Sequence, residues 1–378
     1  MTKKKHNKSL FKQAIGKIHL WLGLASGLVV FIVAITGCIY AFQDDIRDLT
    51  EKHRFVTVEQ KPVLAPSILR DSAMKRYPDA SFTRIIYSGN NRSATVMVLA
   101  GGDYHNIFLN PYSGAFLADQ NLRRDFFTVV EYIHLYLLLP ANIGKPIVDV
   151  AVVIFVVMMI TGIILWWPRN KAQRKQSFKI KWSARWRRVN YDLHNVLGFY
   201  ALIIALIIAI SGLSMSYEWV RNGLNKTANL GHAFPEEKQT PQSDSTVIYD
   251  GKPMLDAAYA YAAAHTPNAQ MFMIYGGNEK KEAIIVSAYA KALHFYHSDT
   301  YFVDRATGKV LKDLPHTKKS AGLKLNEMSY DLHTGQILGF VGKIIAFLAS
   351  LIAASLPITG FMVWWGKRKS TKKKMVHS

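Results

Sequence analysis

Four long apolar stretches without any Asp, Glu, Lys or Arg constrain this chain more than any other feature. They are Ile18–Phe42, Val150–Trp167, Val196–Tyr217 and Ile344–Trp365. Each has about the 18 or more residues that a helix needs to cross the hydrocarbon core of a bilayer. Because lipid offers no partner to backbone polar groups, such stretches are expected to be helices. The sequence therefore predicts a membrane protein with four spanning helices.

The basic residues indicate how these helices are oriented. Segments 1–17, 168–192 and 366–378 hold 21 of the 47 Lys and Arg residues but only one of the 26 acidic residues. Short basic segments beside membrane helices remain in the cytoplasm. Both termini and the middle loop are therefore predicted inside, with segments 43–149 and 218–343 outside. The charge lies at helix ends and forms no single broad patch, which argues against a nucleic acid partner.

The pattern of the apolar stretches repeats once along the chain. His19 is followed four residues later by Gly23, and His194 is followed four residues later by Gly198. The second and fourth stretches share a different pattern, Ile-Thr-Gly followed by Trp-Trp. Repeats of this kind indicate one structural unit used twice. The sequence predicts an internal duplication in which a helix, an outer segment and a second helix occur twice in parallel orientation.

The two outer segments also share one order of elements. Each begins with a helical pattern, at Pro66–Tyr77 and at Pro253–His265, that a proline ends. Short alternating runs typical of strands follow each pattern, at 83–87, 94–99, 106–110 and 115–119 and again at 270–275, 283–289, 300–304 and 309–312. The predicted fold class is a membrane all-α four-helix bundle with two outer α+β domains.

Four histidines occupy duplicated positions at the ends of the predicted helices. His19 and His194 begin helices that rise from the cytoplasmic side, whereas His134 and His333 precede helices that descend from the outer side. Neutral imidazole is a common axial ligand of haem iron, and two histidines at one depth can hold one haem inside a bundle. The depths pair His19 with His194 at an inner haem and His134 with His333 at an outer haem.

The residues around these histidines leave several interpretations open. Gly23 and Gly198 lie one turn after a histidine and would leave room for a flat cofactor, although small residues also line ordinary helix contacts. Zinc is the competing metal, but it requires three or four clustered ligands. The chain has no Cys-x-x-Cys-His, so any haem would be non-covalent and b-type. His294 and His297 form a separate His-x-x-His pattern, for which a surface or structural role is expected.

These motifs resemble the PepSY-associated transmembrane family over nearly the whole chain. The resemblance rests on the two His-x3-Gly openings, the Thr-Gly and Trp-Trp helix ends, and the paired helix-plus-strand segments. The family includes bacterial inner-membrane reductases that carry two b-type haems and reduce siderophore-bound iron in the periplasm. The resemblance implies that His19, His134, His194 and His333 are axial ligands of two haems b. It also implies that the outer segments are periplasmic PepSY-like domains.

The predicted division of the chain follows from the stretches, the charges and this resemblance. It comprises a cytoplasmic basic tail (1–17), the first span (18–42), a PepSY-like domain (43–130), a histidine-bearing segment with the second span (131–167), a cytoplasmic basic loop (168–192), the third span (193–217), a second PepSY-like domain (218–328), a histidine-bearing segment with the fourth span (329–365) and a basic tail (366–378).

The predicted function is transmembrane electron transfer through two haems within membrane lipid. The electrons would come from an unknown cytoplasmic donor or from quinol, and the acceptor would be a periplasmic ferric siderophore or another iron chelate. The alternative is a non-redox PepSY membrane protein that binds or regulates a periplasmic peptide or peptidase. A permease is disfavoured because the four apolar stretches contain no Asp, Glu, Lys or Arg that would line a path for a solute.

Overall fold

The computed structural model describes residues 10–168, 171–247, 254–276, 279 and 281–375, so the two predicted basic tails lie partly outside the described residues. The described chain forms two compact units. The first, here the membrane unit, contains the chain up to Phe42, Val130–Glu218 and the chain from Leu332. The second, here the sheet unit, contains Gln43–Val129 and Trp219–Asp331.

Helices form most of the membrane unit and part of the sheet unit. In chain order they are α1 (Leu10–Tyr40), α2 (Gln43–Thr50), α3 (Pro66–Met74), α4 (Phe126–Tyr136), α5 (Ala141–Trp166), α6 (Lys171–Ser177), α7 (Trp186–Ser216), α8 (Glu218–Ala228), α9 (Pro235–Lys238), α10 (Leu255–His265), α11 (Ala321–Glu327), α12 (Ser329–Thr334) and α13 (Gly339–Met375). Short 3-10 turns occur at Lys52–Arg54, Leu122–Arg124, His316–Lys318 and Gln336–Leu338.

Among the described residues, four helical stretches are long and apolar enough to cross a membrane. They are Leu10–Tyr40, Ala141–Trp166, Trp186–Ser216 and Gln336–Gly366, and each contains one of the predicted spans or nearly all of it. The prediction of four membrane-spanning helices is therefore confirmed at the level of helix length and composition. The four helices correspond to α1, α5, α7 and α13, the last with the 3-10 turn before it.

All four helices begin before the uncharged stretches of the sequence, so each includes charged residues near its start. The helix Ala141–Trp166 includes Lys145 and Asp149, and Gln336–Gly366 includes Lys343. The uncharged stretches therefore form only part of each helix. The charge on Asp149 is tolerated because Lys145 lies one turn earlier on the same face and forms an ion pair with it.

The four spanning helices form a closed ring. The first helix, α1, packs against α5 and α13, and α7 packs against the same two neighbours. Within the described residues, no extensive contact joins α1 to α7 or α5 to α13, so these two pairs lie across the diagonals of the bundle. A side chain that points inward from α1 can therefore meet one that points inward from α7.

The sheet unit is built on one antiparallel sheet of eight strands. They are β1 (Ser81–Ser88), β2 (Ala94–Ala100), β3 (Asp103–Leu109), β4 (Phe116–Asn121), β5 (Met271–Tyr275), β6 (Ile284–Tyr289), β7 (Ser298–Val303) and β8 (Val310–Leu314). Their order across the sheet is β4-β3-β2-β1-β5-β6-β7-β8. The sheet unit is thus an α+β fold, as predicted for the outer segments.

The two outer segments contribute equivalent halves to this sheet. Each half has one helix followed by four strands, in the predicted order, although Pro253 at the predicted start of the second helix lies outside the described residues. Strand β1 pairs with β5, which places Ile85 opposite Ile274, so the halves share one sheet and do not form two separate ones. Both helices pack on the same face, where Leu69 of α3 and Leu255 of α10 are fully buried. The β1–β5 pairing hides two strand edges that would otherwise be exposed.

Candidate functional site

The four histidines meet in two pairs inside the membrane unit. The ring centroids of His19 and His194 are 6.4 Å apart, with an angle of 89° between the ring planes. Those of His134 and His333 are 5.9 Å apart, with an angle of 73°. We call these the inner pair and the outer pair, after the depths at which the sequence places them. The structure thus brings together the same partners that the depth argument predicts.

The ring of four helices explains how each pair meets. His19 lies on α1 and His194 lies on α7, and these helices face each other across one diagonal. His134 lies in the last turn of α4 and His333 in the last turn of α12, just before α5 and α13, which face each other across the other diagonal. Each pair therefore joins opposite corners of the bundle.

The two pairs lie far apart along the helices. His134 contacts Thr36 of α1, which is 17 residues beyond His19 on the same helix. At the rise of an α-helix, this separation corresponds to roughly 25 Å along the axis. The hydrocarbon core of a bilayer is about 30 Å thick. The pairs consequently lie near opposite ends of the membrane-spanning part of the bundle.

Both histidines of the inner pair bond a threonine of a neighbouring helix. His19 Nδ1 lies 2.9 Å from Oγ1 of Thr161 on α5, and His194 Nδ1 lies 2.9 Å from Oγ1 of Thr359 on α13. Each threonine hydroxyl donates its own proton to the carbonyl oxygen four residues earlier in its helix, at 2.9 Å in both cases. A hydroxyl that donates in this way accepts from its other partner, so Nδ1 of each histidine carries the hydrogen.

His134 of the outer pair has a different acceptor. Its Nδ1 lies 2.9 Å from the backbone carbonyl oxygen of Val33 and 3.1 Å from Oγ1 of Thr36, both on α1. A carbonyl oxygen only accepts, so Nδ1 of His134 must donate. The shorter of its two contacts is thus to the backbone, with the hydroxyl as a second, longer contact.

His333 repeats this arrangement on α7. Its Nδ1 lies 2.8 Å from the carbonyl oxygen of Ile208 and 3.4 Å from Oγ of Ser211. All four histidines therefore use Nδ1–H as a donor, and Nε2 has no hydrogen-bond partner among the described residues. Metal-binding histidines typically show this division, in which one nitrogen bonds the protein and the other binds the metal.

A glycine follows each of the four hydroxyl residues and lies against the histidine ring. A Cβ atom built on these glycines would approach Cε1 of the facing histidine to 3.4 Å at Gly162 (His19), 3.2 Å at Gly360 (His194), 3.3 Å at Gly37 (His134) and 2.9 Å at Gly212 (His333). Each hydroxyl–glycine pair thus contacts one imidazole ring, the hydroxyl at Nδ1 and the glycine at Cε1. In the sequence these pairs are visible only as part of the internal repeat. There are four of them, one for each of the four histidines, and this equal number is the sequence feature that could have linked them to the histidines.

Two further glycines position the outer pair. A Cβ atom on Gly144 would lie 2.0 Å from the carbonyl oxygen of Tyr136, and one on Gly342 would lie 2.1 Å from that of Gly335. The contacted carbonyl belongs in both cases to the second residue after the histidine. The first turns of α5 and α13 therefore lie directly against the backbone that carries the outer histidines, which only glycine permits.

Gly23 and Gly198, the predicted cofactor-packing residues, face neighbouring helices. A Cβ atom on Gly23 would lie 2.8 Å from the terminal methyl carbon of Met158 on α5, and one on Gly198 would lie 3.4 Å from Leu356 on α13. Both contacts are with side chains of the adjacent helix. They are the close contacts that small residues allow between membrane helices.

His294 and His297 lie in the sheet unit and serve different contacts. His294 is buried, with Nδ1 3.0 Å from the carbonyl oxygen of Ala292. His297 is exposed and stacks on His316 with 3.9 Å between the ring centroids. Burial, together with repulsion from His297 and nearby lysines, lowers the pKa of His316 to about 4. His294 and His297 are therefore not brought together as a pair.

The two pairs in the membrane unit are compatible with haem iron. A metal bound between two imidazole nitrogens at about 2 Å from each places the ring centroids roughly 6 Å apart, close to both observed separations. Among the described residues, no cluster of three or more His, Cys, Asp or Glu side chains is placed to hold a metal ion. Each pair alone offers two protein ligands, so a metal there would need its other ligands from a cofactor.

Comparison with known protein families agrees with this architecture. The sequence model described as the PepSY-associated TM region matches residues 17–367, which include all four spans, both halves of the sheet and the four histidines. Comparison with curated proteins gives no match. The match covers nearly the whole chain, and the chain therefore belongs to the PepSY-associated transmembrane family.

Proposed function

We propose that this chain is a di-haem b electron-transfer protein of a bacterial inner membrane. The observation that carries the proposal is the two pairs of histidines, each ring with Nδ1 bonded to the protein and with no partner for Nε2 in the part of the chain that the structure describes. His19 and His194 would bind the inner haem, and His134 and His333 the outer haem. The internal duplication accounts for the equivalence of the two pairs, since each half supplies one histidine to each.

Each part of the membrane unit has a role in this proposal. A haem at each pair supplies a one-electron carrier near each membrane face. The histidines hold the iron through Nε2, and the hydroxyl and carbonyl acceptors keep the rings oriented. The surrounding apolar helices exclude water from both centres. The separation of roughly 25 Å along α1 is suited to carrying an electron across the hydrocarbon core.

The proposed orientation places both termini and the loop 168–192 in the cytoplasm and the sheet unit in the periplasm. It is supported by the concentration of basic residues in those segments. A periplasmic reporter enzyme inserted within 225–245 should be active, and one fused after Ser378 should be inactive. A cytoplasmic fluorescent reporter should give the reverse result. An active periplasmic reporter after Ser378 would contradict the orientation.

The proposed acceptor is a periplasmic ferric siderophore or a similar iron chelate. One electron converts Fe(III) to Fe(II), which is a softer and less highly charged cation that hard oxygen ligands hold more weakly. Reduction therefore releases the iron without any acid or base catalyst. The donor would be a cytoplasmic reductant or quinol. The rival function is that the sheet unit binds or regulates a periplasmic peptide or peptidase without redox chemistry.

An anaerobic mixing experiment tests the proposed acceptor. Dithionite-reduced protein in detergent, freed of excess reductant, is mixed with ferric siderophores while haem absorbance and Fe(II) trapping are followed. We expect reoxidation with one trapped Fe(II) per electron lost, and a much slower reaction in His134→Ala, which lacks a ligand of the outer haem. A wild-type protein that stays reduced with every chelate of a broad panel would contradict reductase activity and favour the rival.

A further inference from the structure

His19 differs from both histidines of the outer pair in the acceptor of its Nδ1 proton. His134 and His333 donate most closely to backbone carbonyl oxygens, at 2.9 and 2.8 Å. His19 has the hydroxyl of Thr161 as its hydrogen-bond partner among the described residues, at 2.9 Å. A side-chain acceptor can be removed by substitution, whereas a backbone carbonyl remains. Thr36 contacts Nδ1 of His134 as Thr161 contacts Nδ1 of His19. However, His134 also has a backbone acceptor, so the hydroxyl of Thr36 is not its main partner.

We infer that Thr161 is a positioning residue for His19 whose hydroxyl lowers the reduction potential of the inner haem. The inference rests on the proposed haem ligation by His19. An acceptor on Nδ1–H makes the imidazole a more basic ligand, because it draws the proton away from the ring. A more basic ligand favours Fe(III) over Fe(II) and so lowers the potential. A lower potential makes the inner haem a better donor to the outer one.

The surroundings of Thr161 make the hydroxyl well suited to this role. Thr161 is 6% exposed, so water has little access to replace its oxygen as acceptor. Its own proton is committed to the carbonyl of Val157 at 2.9 Å, which directs the oxygen lone pairs toward His19. The next residue is Gly162, where an added Cβ would lie 3.4 Å from Cε1 of His19, so the helix backbone lies close beside the ring. The ring is therefore fixed from two adjacent positions of α5.

Substitution at two threonines separates this role from a merely structural one. Thr161→Val has nearly the same shape but no acceptor, and we expect the midpoint potential of the inner haem to rise while that of the outer haem is unchanged. Thr36→Val is the matched control. It should shift the outer haem less than Thr161→Val shifts the inner one, because His134 keeps the carbonyl of Val33. Thr161→Ser should restore the wild-type potential.

The measurement is a spectroelectrochemical redox titration of the full-length protein in detergent, with each haem assigned in His194→Ala and His134→Ala backgrounds. If Thr161→Val loses the inner haem, Thr161→Cys keeps a weaker acceptor and should give an intermediate potential. An unchanged inner-haem potential in Thr161→Val (or in Thr161→Cys, where Thr161→Val loses the haem), or equal shifts in Thr161→Val and Thr36→Val, would overturn the inference. A wild-type protein without haem would instead contradict the proposed function.

Discussion

Replacing either histidine of one pair is expected to remove the same haem and to leave the other in place. His19→Ala and His194→Ala should each remove the inner haem, whereas His134→Ala and His333→Ala should each remove the outer one. The reason is that the partners of each pair face each other with ring centroids 6.4 and 5.9 Å apart. A haem that lost one of its two histidines would be attached to the protein by one coordinate bond only, and b-type haem has no covalent attachment to compensate.

The result is measured as haem per chain and as the reduced-minus-oxidised spectrum of each purified variant. Every single variant should fall from about two haems to about one, and the remaining spectrum should be the same for both members of a pair. His297→Ala is the control, because this exposed histidine lies in the sheet unit. The pairing is wrong if His19→Ala and His333→Ala remove one and the same haem.

A methyl group on Gly212 is expected to displace His333 and to release the outer haem. The added Cβ would lie 2.9 Å from Cε1 and 3.2 Å from Nδ1 of the imidazole, closer than side chains normally approach. The ring must move, and its Nδ1–H then leaves the carbonyl of Ile208. Loss of such supporting contacts typically weakens metal binding about 10–100-fold, and we expect that range for Gly212→Ala.

Gly162→Ala is the matched control for this substitution. Its Cβ would lie 3.4 Å from Cε1 of His19, which is an ordinary contact, so the inner haem should be retained. Alanine also favours a helix over glycine by about 1 kcal/mol, so neither variant should unfold its helix. Haem retention is followed during transfer to excess apomyoglobin. Equal loss rates in Gly212→Ala and Gly162→Ala would show that the close approach at Gly212 does not govern haem retention.

The sequence predicts the spanning helices well because each is encoded locally. A run of apolar residues specifies a membrane helix without reference to the rest of the chain. Once the basic segments fix the side on which the chain starts, the number of crossings gives the expected depth of each histidine. The helix α5 begins at Ala141, before its uncharged stretch, and contains Lys145 and Asp149. Lys145 and Asp149 satisfy each other within one turn, which a search for uncharged runs does not detect.

The contacts that complete the site depend on which helices are neighbours, and no local pattern specifies this. Thr161 serves His19 because α5 packs beside α1, although 142 residues separate the two side chains. The paired strands β1 and β5 are even farther apart in sequence. The sequence repeat is the signal that bears on these contacts, since each of the four histidines of the two pairs has its own hydroxyl–glycine pair. The repeat indicates that the four hydroxyl–glycine pairs have a common role, but it does not show which histidine each pair contacts.

The central claim, that the two histidine pairs hold two haems b, is tested most directly by haem quantification on the wild-type protein. The protein is produced with haem supplied, purified in detergent, and examined by absorption before and after dithionite, with pyridine haemochrome analysis. We predict two b-type haems per chain, both six-coordinate and low-spin in each oxidation state. A folded, homogeneous protein that remains free of haem under these conditions would contradict the account.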